Sequence, residues 1–297
     1  MNDECGRRNE NRRLVFHSSF RTYRFLICLR EIDRVYYITR LIRPCSQAQA
    51  EENRLGEREQ LAFQEERPRR RLLRRLAARR LWRAEVRYAG ALAAFAALAI
   101  LARLNAYFWW DVAVAQAIQN VPGLLGLMRL VSTIGYGWKP FALTGVTAFI
   151  FLIYRRRSEA AGLVFSAAGS TLVNHFLKLL IARPRPSVEF VAIFRPLKSQ
   201  SFPSGHVTFY VCFFGFLFFV AYAILPKGAW TRRAALMLTA LPVLLVGLSR
   251  IYLGAHWPSD TLGAYLVSGL WLGLSLHLYR RWKERSTLHA EEIMKEK

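Results

Sequence analysis

The sequence predicts an all-α fold: an integral membrane bundle of six transmembrane helices behind a poorly ordered, basic N-terminal extension. Two observations carry this expectation. Of the 297 residues 53% are hydrophobic, and the apolar ones concentrate after Arg87, with uncharged runs of nineteen residues at Val207 to Leu225 and at Thr261 to Tyr279. At ~1.5 Å rise per residue, such a run crosses a hydrocarbon core of ~30 Å. The second observation is charge. Forty-three Lys and Arg against 20 Asp and Glu leave a formal net charge of +23, which a soluble globule with this apolar content rarely carries. Nucleic acid is the first partner such a charge suggests, but the apolar runs favour a membrane, and no nucleic-acid partner is expected. The apolar part excludes disorder over the whole length. Cys5, Cys28, Cys45 and Cys212 match no zinc or redox spacing and are too few to staple a secreted scaffold.

Residues 1–66 mix Arg, Glu, Gln and Asn without a sustained period and read as a disordered extension. An Arg-rich juxtamembrane segment, 67–87, follows. In it Leu72, Leu73, Leu76 and Leu81 recur among nine arginines of Arg69 to Arg87, suiting either an interfacial helix on anionic headgroups or the positive flank of the first span. The six-span domain occupies 88–285. Its first span is expected at Tyr88 to Ala102, and Trp109 to Tyr136 reads as an interfacial segment. Span two is Pro140 to Tyr154, and span three is Glu159 to Leu177, where Gly162, Ser166, Gly169 and Ser170 permit close helix approach. Spans four to six are Val207 to Leu225, Ala234 to Leu248 and Thr261 to Tyr279, and a tail, 286–297, closes the chain.

Basic clusters alternate onto one side: the head, then Arg155 to Arg157, then Lys227, Arg232 and Arg233, then Arg280, Arg281, Lys283 and Arg285. The positive-inside rule makes that side cytoplasmic, with both termini on it. Arg183, Arg185, Arg195, Lys198 and Arg250 fall on the other side, where the rule disfavours them, and some of them are expected to belong to a site.

Three clusters emerge on that extracytoplasmic side. Lys178 closes span three and is followed by Arg183-Pro184-Arg185-Pro186. Pro203-Ser204-Gly205-His206 precedes span four, where Ser204 is placed to cap the helix and Gly205 to expose backbone N–H groups to an anion. Ser249-Arg250 ends span five, and His256 and Asp260 follow. If span six opens with Pro258 in its first turn, Asp260 lies one turn from His256. It could then accept a hydrogen bond from Nδ1–H, fix the tautomer and leave Nε2 free to attack. Two histidines, an aspartate, a lysine and two arginines on one membrane face suit phosphoryl transfer through a phosphohistidine.

Lys178 with Arg185-Pro186, then Pro203-Ser204-Gly205-His206, then Ser249-Arg250 with His256 and Asp260 are eleven positions in three ordered blocks, and they resemble the type 2 phosphatidic acid phosphatase family, which includes other membrane lipid phosphatases and is similar to vanadium haloperoxidases. The resemblance covers roughly Tyr88 to Arg285 and implies that His256 is the nucleophile, Asp260 its orienter and His206 the general acid that later activates water. It implies that Lys178, Arg185, Ser204, Gly205 and Arg250 hold the phosphate of a lipid phosphate monoester or polyprenyl diphosphate, without a metal or cofactor. A metal-dependent alternative needs several carboxylates, and the same side offers only Asp111, Glu189 and Asp260. A phosphotransferase with the same site, and a non-catalytic membrane adaptor of the same fold, remain open alternatives, as do the particular lipid and the oligomeric state. Singly, Lys178 reads as a snorkelling lysine and Arg185 as a headgroup anchor. Only their joint arrangement points to phosphate. His175, beside Asn174 in span three, has no motif partner and is expected to join helices, and Trp257 and Tyr252 are expected to wall the site.

Overall fold

The fold is that of a computed structural model, which describes residues 82–197 and 199–296, with side chains as far as Arg285. The N-terminal extension, most of the Arg-rich segment and Lys198 lie outside the described residues. Those described form eight helices and no strand. Helix α1 is Trp82–Leu104. It is followed by α2 (Trp109–Gln119), α3 (Leu125–Thr133), α4 (Lys139–Ile153), α5 (Arg157–Ile181), α6 (Gly205–Ile224), α7 (Trp230–Tyr252) and α8 (Pro258–Glu296).

Five of these, α1, α5, α6, α7 and α8, are long and apolar enough to cross a membrane. The expected second span is the short one. Helix α4 has 15 residues, ~22 Å of rise, and its end is set locally: Arg155 turns at φ 56° and its N–H returns to Leu152 O. The flanking residues therefore do not lengthen it.

Helix α6 is the hub. Val207, Tyr210, Phe213 and Phe216 along it are fully buried against Leu163 of α5, Val246 of α7 and Ala264 of α8. Half of its most apolar window is buried, against 6% for α1, because α1 lies at the edge and turns most of its side chains outward. The small residues of α5 act as expected. A Cβ on Gly169 would lie 2.4 Å from the Trp271 ring and one on Gly162 2.7 Å from Phe216. Ser166 bonds Cys212 O at 2.9 Å and its own carbonyl accepts Trp271 Nε1 at 3.0 Å.

The segment between α1 and α4 is more than an interfacial layer. Helices α2 and α3 bury Asp111, Ala115, Met128 and Ser132. Met128 packs on Tyr252 and Leu253 at the end of α7. His175, expected to join helices, is exposed on α5, and its buried neighbour Asn174 makes the inter-element bonds instead, to Pro203 O and Thr208 Oγ1, both at 3.2 Å.

Candidate active site

The last turn of α5, the first turn of α6, the last turn of α7 and the first turn of α8 meet at one end of the bundle, and all three sequence clusters converge there. Helix α8 opens with Pro258, as expected from its tolerance at a first helical position. His256 sits just before it in a turn closed by Gly254. That glycine has φ +64°, and a Cβ there would lie 2.1 Å from Ala192 O, so no side chain fits between this turn and the 187–200 loop. The loop is itself tied down. Gln119 of α2 donates to Ala192 O at 2.8 Å and accepts from Ala192 N at 3.0 Å, and Gln116 donates to Phe190 O at 2.9 Å.

Arg185 faces His256 directly, with Nη1 3.2 Å from Nε2. A guanidinium only donates, so in this arrangement Nε2 is the acceptor and the imidazole proton resides on Nδ1. Arg185 is further held by Ala255 O at 2.5 Å and by Ser199 O at 2.6 Å. Burial, and then the charge of Arg250, bring its pKa down to about 10. Burial also holds His256 well below the ordinary histidine value, reinforced by the positive charges of Arg185, Lys178 and Arg250. The imidazole is thus kept neutral, as an attacking nitrogen must be.

Asp260 lies one turn on, but it does not grip His256 as the spacing suggested. The Nδ1 to Oδ2 distance is 3.6 Å. Both carboxylate oxygens are already engaged: Oδ1 by Arg183 Nη1 at 2.6 Å, and Oδ2 by Ser201 Oγ and by Trp257 N at 2.9 Å. Ser201 Oγ also lies 3.5 Å from His256 Nδ1, so a serine lies between the aspartate and the histidine. Lys178 reaches into the same loop, donating to Gln200 O and to Ser201 O.

Across the site, Arg250 is fully buried and donates Nη1 to Tyr136 OH at 2.6 Å and to Ser132 Oγ at 3.0 Å. The Tyr136 ring meets His206 edge-on at 4.5 Å, and Arg195 lies over that ring at 4.1 Å. Gly135 lets the backbone approach His206, since a Cβ would fall 2.2 Å from its Cδ2. Ser204 stands at the N-cap of α6 as expected, but its hydroxyl does not cap the helix. It is buried with no hydrogen-bond partner among the described residues. The same is true of His206 Nε2 and of Arg250 Nε and Nη2. Buried polar groups are almost always paired, and here four unpaired atoms belong to three of the predicted site residues. A Cβ on Gly205 would lie 3.2 Å from Asn174 Oδ1.

The structure therefore brings together all eight predicted residues: Lys178, Arg185, Ser204, Gly205, His206, Arg250, His256 and Asp260. Trp257 and Tyr252 are buried beside them. Sequence reasoning missed Ser132, Tyr136 and Ser201, and left Asp111 and Arg183 without roles. The one usable signal was Arg183, an arginine on the side where the charge rule disfavours it.

Residues 159–284 match the PAP2 superfamily. Decaprenylphosphoryl-5-phosphoribose phosphatase of Mycobacterium tuberculosis is 35% identical over 160 residues, 50% of this chain and 77% of that protein. Undecaprenyl-diphosphatase of Sulfolobus acidocaldarius is 30% identical over 158 residues, 52% of this chain and 69% of that one. Phosphatidylglycerophosphatase B of Bacillus subtilis is 27% identical over 176 residues, 58% of this chain and 84% of the relative. In fold the chain is similar to the crystal structure of a transmembrane PAP2-type phosphatidylglycerolphosphate phosphatase from Bacillus subtilis, with a TM-score of 0.58 at 24% identity over 65% of this chain and 96% of that one. The matched stretch carries Lys178, His206 and Asp260 on helices of membrane-crossing length and His256 in the turn between two of them, and the chain belongs to the PAP2 superfamily as a multi-pass membrane protein.

Proposed function

We propose that the chain is an integral membrane phosphatase that hydrolyses a lipid phosphate monoester or polyprenyl diphosphate through a phosphohistidine on His256. The observation that carries this reading is the set of buried polar atoms without a partner among the described residues, Ser204 Oγ, His206 Nε2 and Arg250 Nε and Nη2, beside an imidazole whose Nε2 accepts from Arg185. The two free donors on one guanidinium edge suit a bidentate grip on phosphate oxygens. Lys178 and Arg185 add positive charge from the opposite wall, and the start of α6 offers backbone N–H groups.

These positions support the following reaction. Arg185 turns from His256 to the bound phosphate, and the Nε2 lone pair attacks phosphorus. The bond from phosphorus to the leaving oxygen breaks, the lipid oxygen of a monoester or the bridging oxygen of a diphosphate, and His206 protonates that oxygen. His206 then takes a proton from water, whose oxygen attacks phosphorus and releases inorganic phosphate from Nε2. Asp260 and Ser201 hold the Nδ1 side throughout, and no residue here requires a metal ion.

The site lies on the extracytoplasmic face in this reading, with α4 counted as the sixth span and both termini in the cytoplasm, because the basic clusters at 155–157, 227–233 and 280–285 share one side. Single cysteines at positions 199 and 156, treated on intact cells with an impermeant reagent, test this. Labelling at 199 alone is expected, and labelling at 156 alone inverts the topology. Phosphate release from phosphatidate, phosphatidylglycerophosphate, undecaprenyl diphosphate and a sphingoid phosphate tests the activity. No release from any of them would return the chain to the adaptor reading.

A further inference from the structure

We propose that Arg183 and Asp111 are positioning residues for the reaction at His256, forming with Asp260 a buried charge relay that sets both the place and the effective charge of the Asp260 carboxylate. The proposal rests on the phosphohistidine reading above. Neither residue touches the reacting atoms.

Arg183 follows α5 and has every side-chain nitrogen engaged. Nη1 donates to Asp260 Oδ1 and to Ser259 Oγ, both at 2.6 Å. Nη2 donates to Asp111 Oδ2 at 2.9 Å, and Nε donates to Asn105 O at 3.2 Å. Asp111, from α2, accepts further from Ser259 N at 2.8 Å, Ser259 Oγ at 2.7 Å and Phe108 N at 3.1 Å. All three charged side chains are 0% exposed. Two carboxylates from distant parts of the chain therefore share one guanidinium in a dry setting.

A buried Arg183–Asp260 pair alone would be neutral, and His256 would feel little of the carboxylate's charge. Asp111 on the far side of the guanidinium changes the balance. Two anions and one cation leave a net negative charge, and the end of the triad nearest His256 is Asp260. When phosphorus bonds to Nε2 with the proton still on Nδ1, the imidazole becomes cationic, and a net negative triad behind it is the stabilising counter-charge. In the resting site, the charged and titratable groups around His256 are otherwise Arg185, Lys178, Arg250 and His206, with Ser201 between it and Asp260. The triad supplies the only negative charge among these groups. Geometry is fixed by the same contacts, since Oδ1 of Asp260 is held by Arg183 while Oδ2 is left to Ser201 and Trp257 N.

The test compares Asp111→Asn, Arg183→Lys and Ser259→Ala in purified full-length protein in detergent micelles, with phosphatidylglycerophosphate as the probe. Asp111→Asn removes the charge and is expected to lower kcat by about tenfold to a hundredfold, with KM within about twofold. It also removes negative charge from the field at His256, which lowers the pKa of that imidazole. The acidic limb of kcat/KM should thus move to lower pH by roughly half a unit. Deuterium exchange at the imidazole C2 of His256, read by mass spectrometry, should shift its midpoint in the same direction. Arg183→Lys keeps the net charge but loses the fork, so kcat should fall while the limb stays in place. Ser259→Ala removes hydrogen bonds without changing charge and should also leave the limb in place. An unmoved or raised limb in Asp111→Asn, or a wild-type kcat in Arg183→Lys, overturns the proposal. The exchange measurement needs no turnover. A wild type that releases no phosphate would therefore sink the phosphatase reading while the exchange midpoints still decide the role of Asp111.

Discussion

Helices α5 and α8 run side by side and carry buried acidic residues near both ends of the bundle, yet the two ends are built differently. Away from the site, Glu159 accepts from Lys283 at 2.6 Å and from Tyr279 at 3.2 Å, with Arg156 3.6 Å away. Its cationic partners are 40% and 44% exposed. Water and salt share that interaction, so it contributes little beyond local order. At the site end, Asp111, Arg183 and Asp260 are sealed from solvent, and His206, Ser204 and Arg250 keep buried atoms without partners among the described residues. An arrangement selected for stability alone would pair or discard such groups, because each unmet buried donor costs about 1–3 kcal/mol. The contrast marks one end as the candidate site by its unmet hydrogen-bonding capacity rather than by its charge.

Substitutions at the two ends should separate accordingly. His256→Ala is the largest break: turnover should vanish, with no acid-stable or base-stable phosphoenzyme trapped after quenching with labelled substrate, since no other nucleophile shares its position. Normal turnover in this variant would remove the phosphohistidine step. Arg250→Lys should follow, with kcat reduced by about a hundredfold and weaker inhibition by vanadate. Lysine cannot present the two-donor edge that Arg250 leaves open.

Gly135→Ala probes the packing behind His206. Its methyl group would enter the ring position, so a loss of about tenfold in kcat is expected, with thermal stability of the purified protein reporting any wider damage. For the wild type, the acidic limb of kcat/KM should fall below the ordinary histidine value of ~6.5. The sign follows from the chemistry: burial and nearby cations lower the pKa of His256, the neutral ring attacks, and on the acidic side activity is lost as pH falls through that lowered value. At the other end, Glu159→Gln should leave kcat and KM within about twofold and cost about 1 kcal/mol of stability, measured by thermal unfolding in detergent.

The residues that could be read in advance share one property: they are polar where an apolar run makes them expensive. Lys178, Arg250 and the Pro203 to His206 turn sit at the ends of membrane-length helices, and their spacing is local enough to be seen in one dimension. The same logic named Asp260, because one helical turn separates it from His256. What that spacing could not supply was Ser201, which intrudes between them from a different loop. Asp111 and Tyr136 were hidden for a similar reason. Each is an ordinary residue in a short helix or turn, and only packing of α2 and α3 onto the ends of α7 and α8 turns them toward the site. His175 was misplaced because polarity in a span marks a contact, but the rotation of α5 gives that contact to Asn174.

The sequence by itself determined the helical class, the apolar segments and the eight residues of the candidate site, since hydropathy and short motif spacing act along the chain. The tertiary structure alone decided which hydrogen bonds those residues make. It gave Asp260 to Arg183 and Ser201, aimed Arg185 at His256, and left Ser204, His206 and Arg250 with buried atoms that have no hydrogen-bond partner among the described residues. The physical reason is that a buried polar atom's partner is chosen by which elements pack beside it, and residues separated by as many as 149 positions, Asp111 and Asp260, are held through one guanidinium only after the bundle has closed.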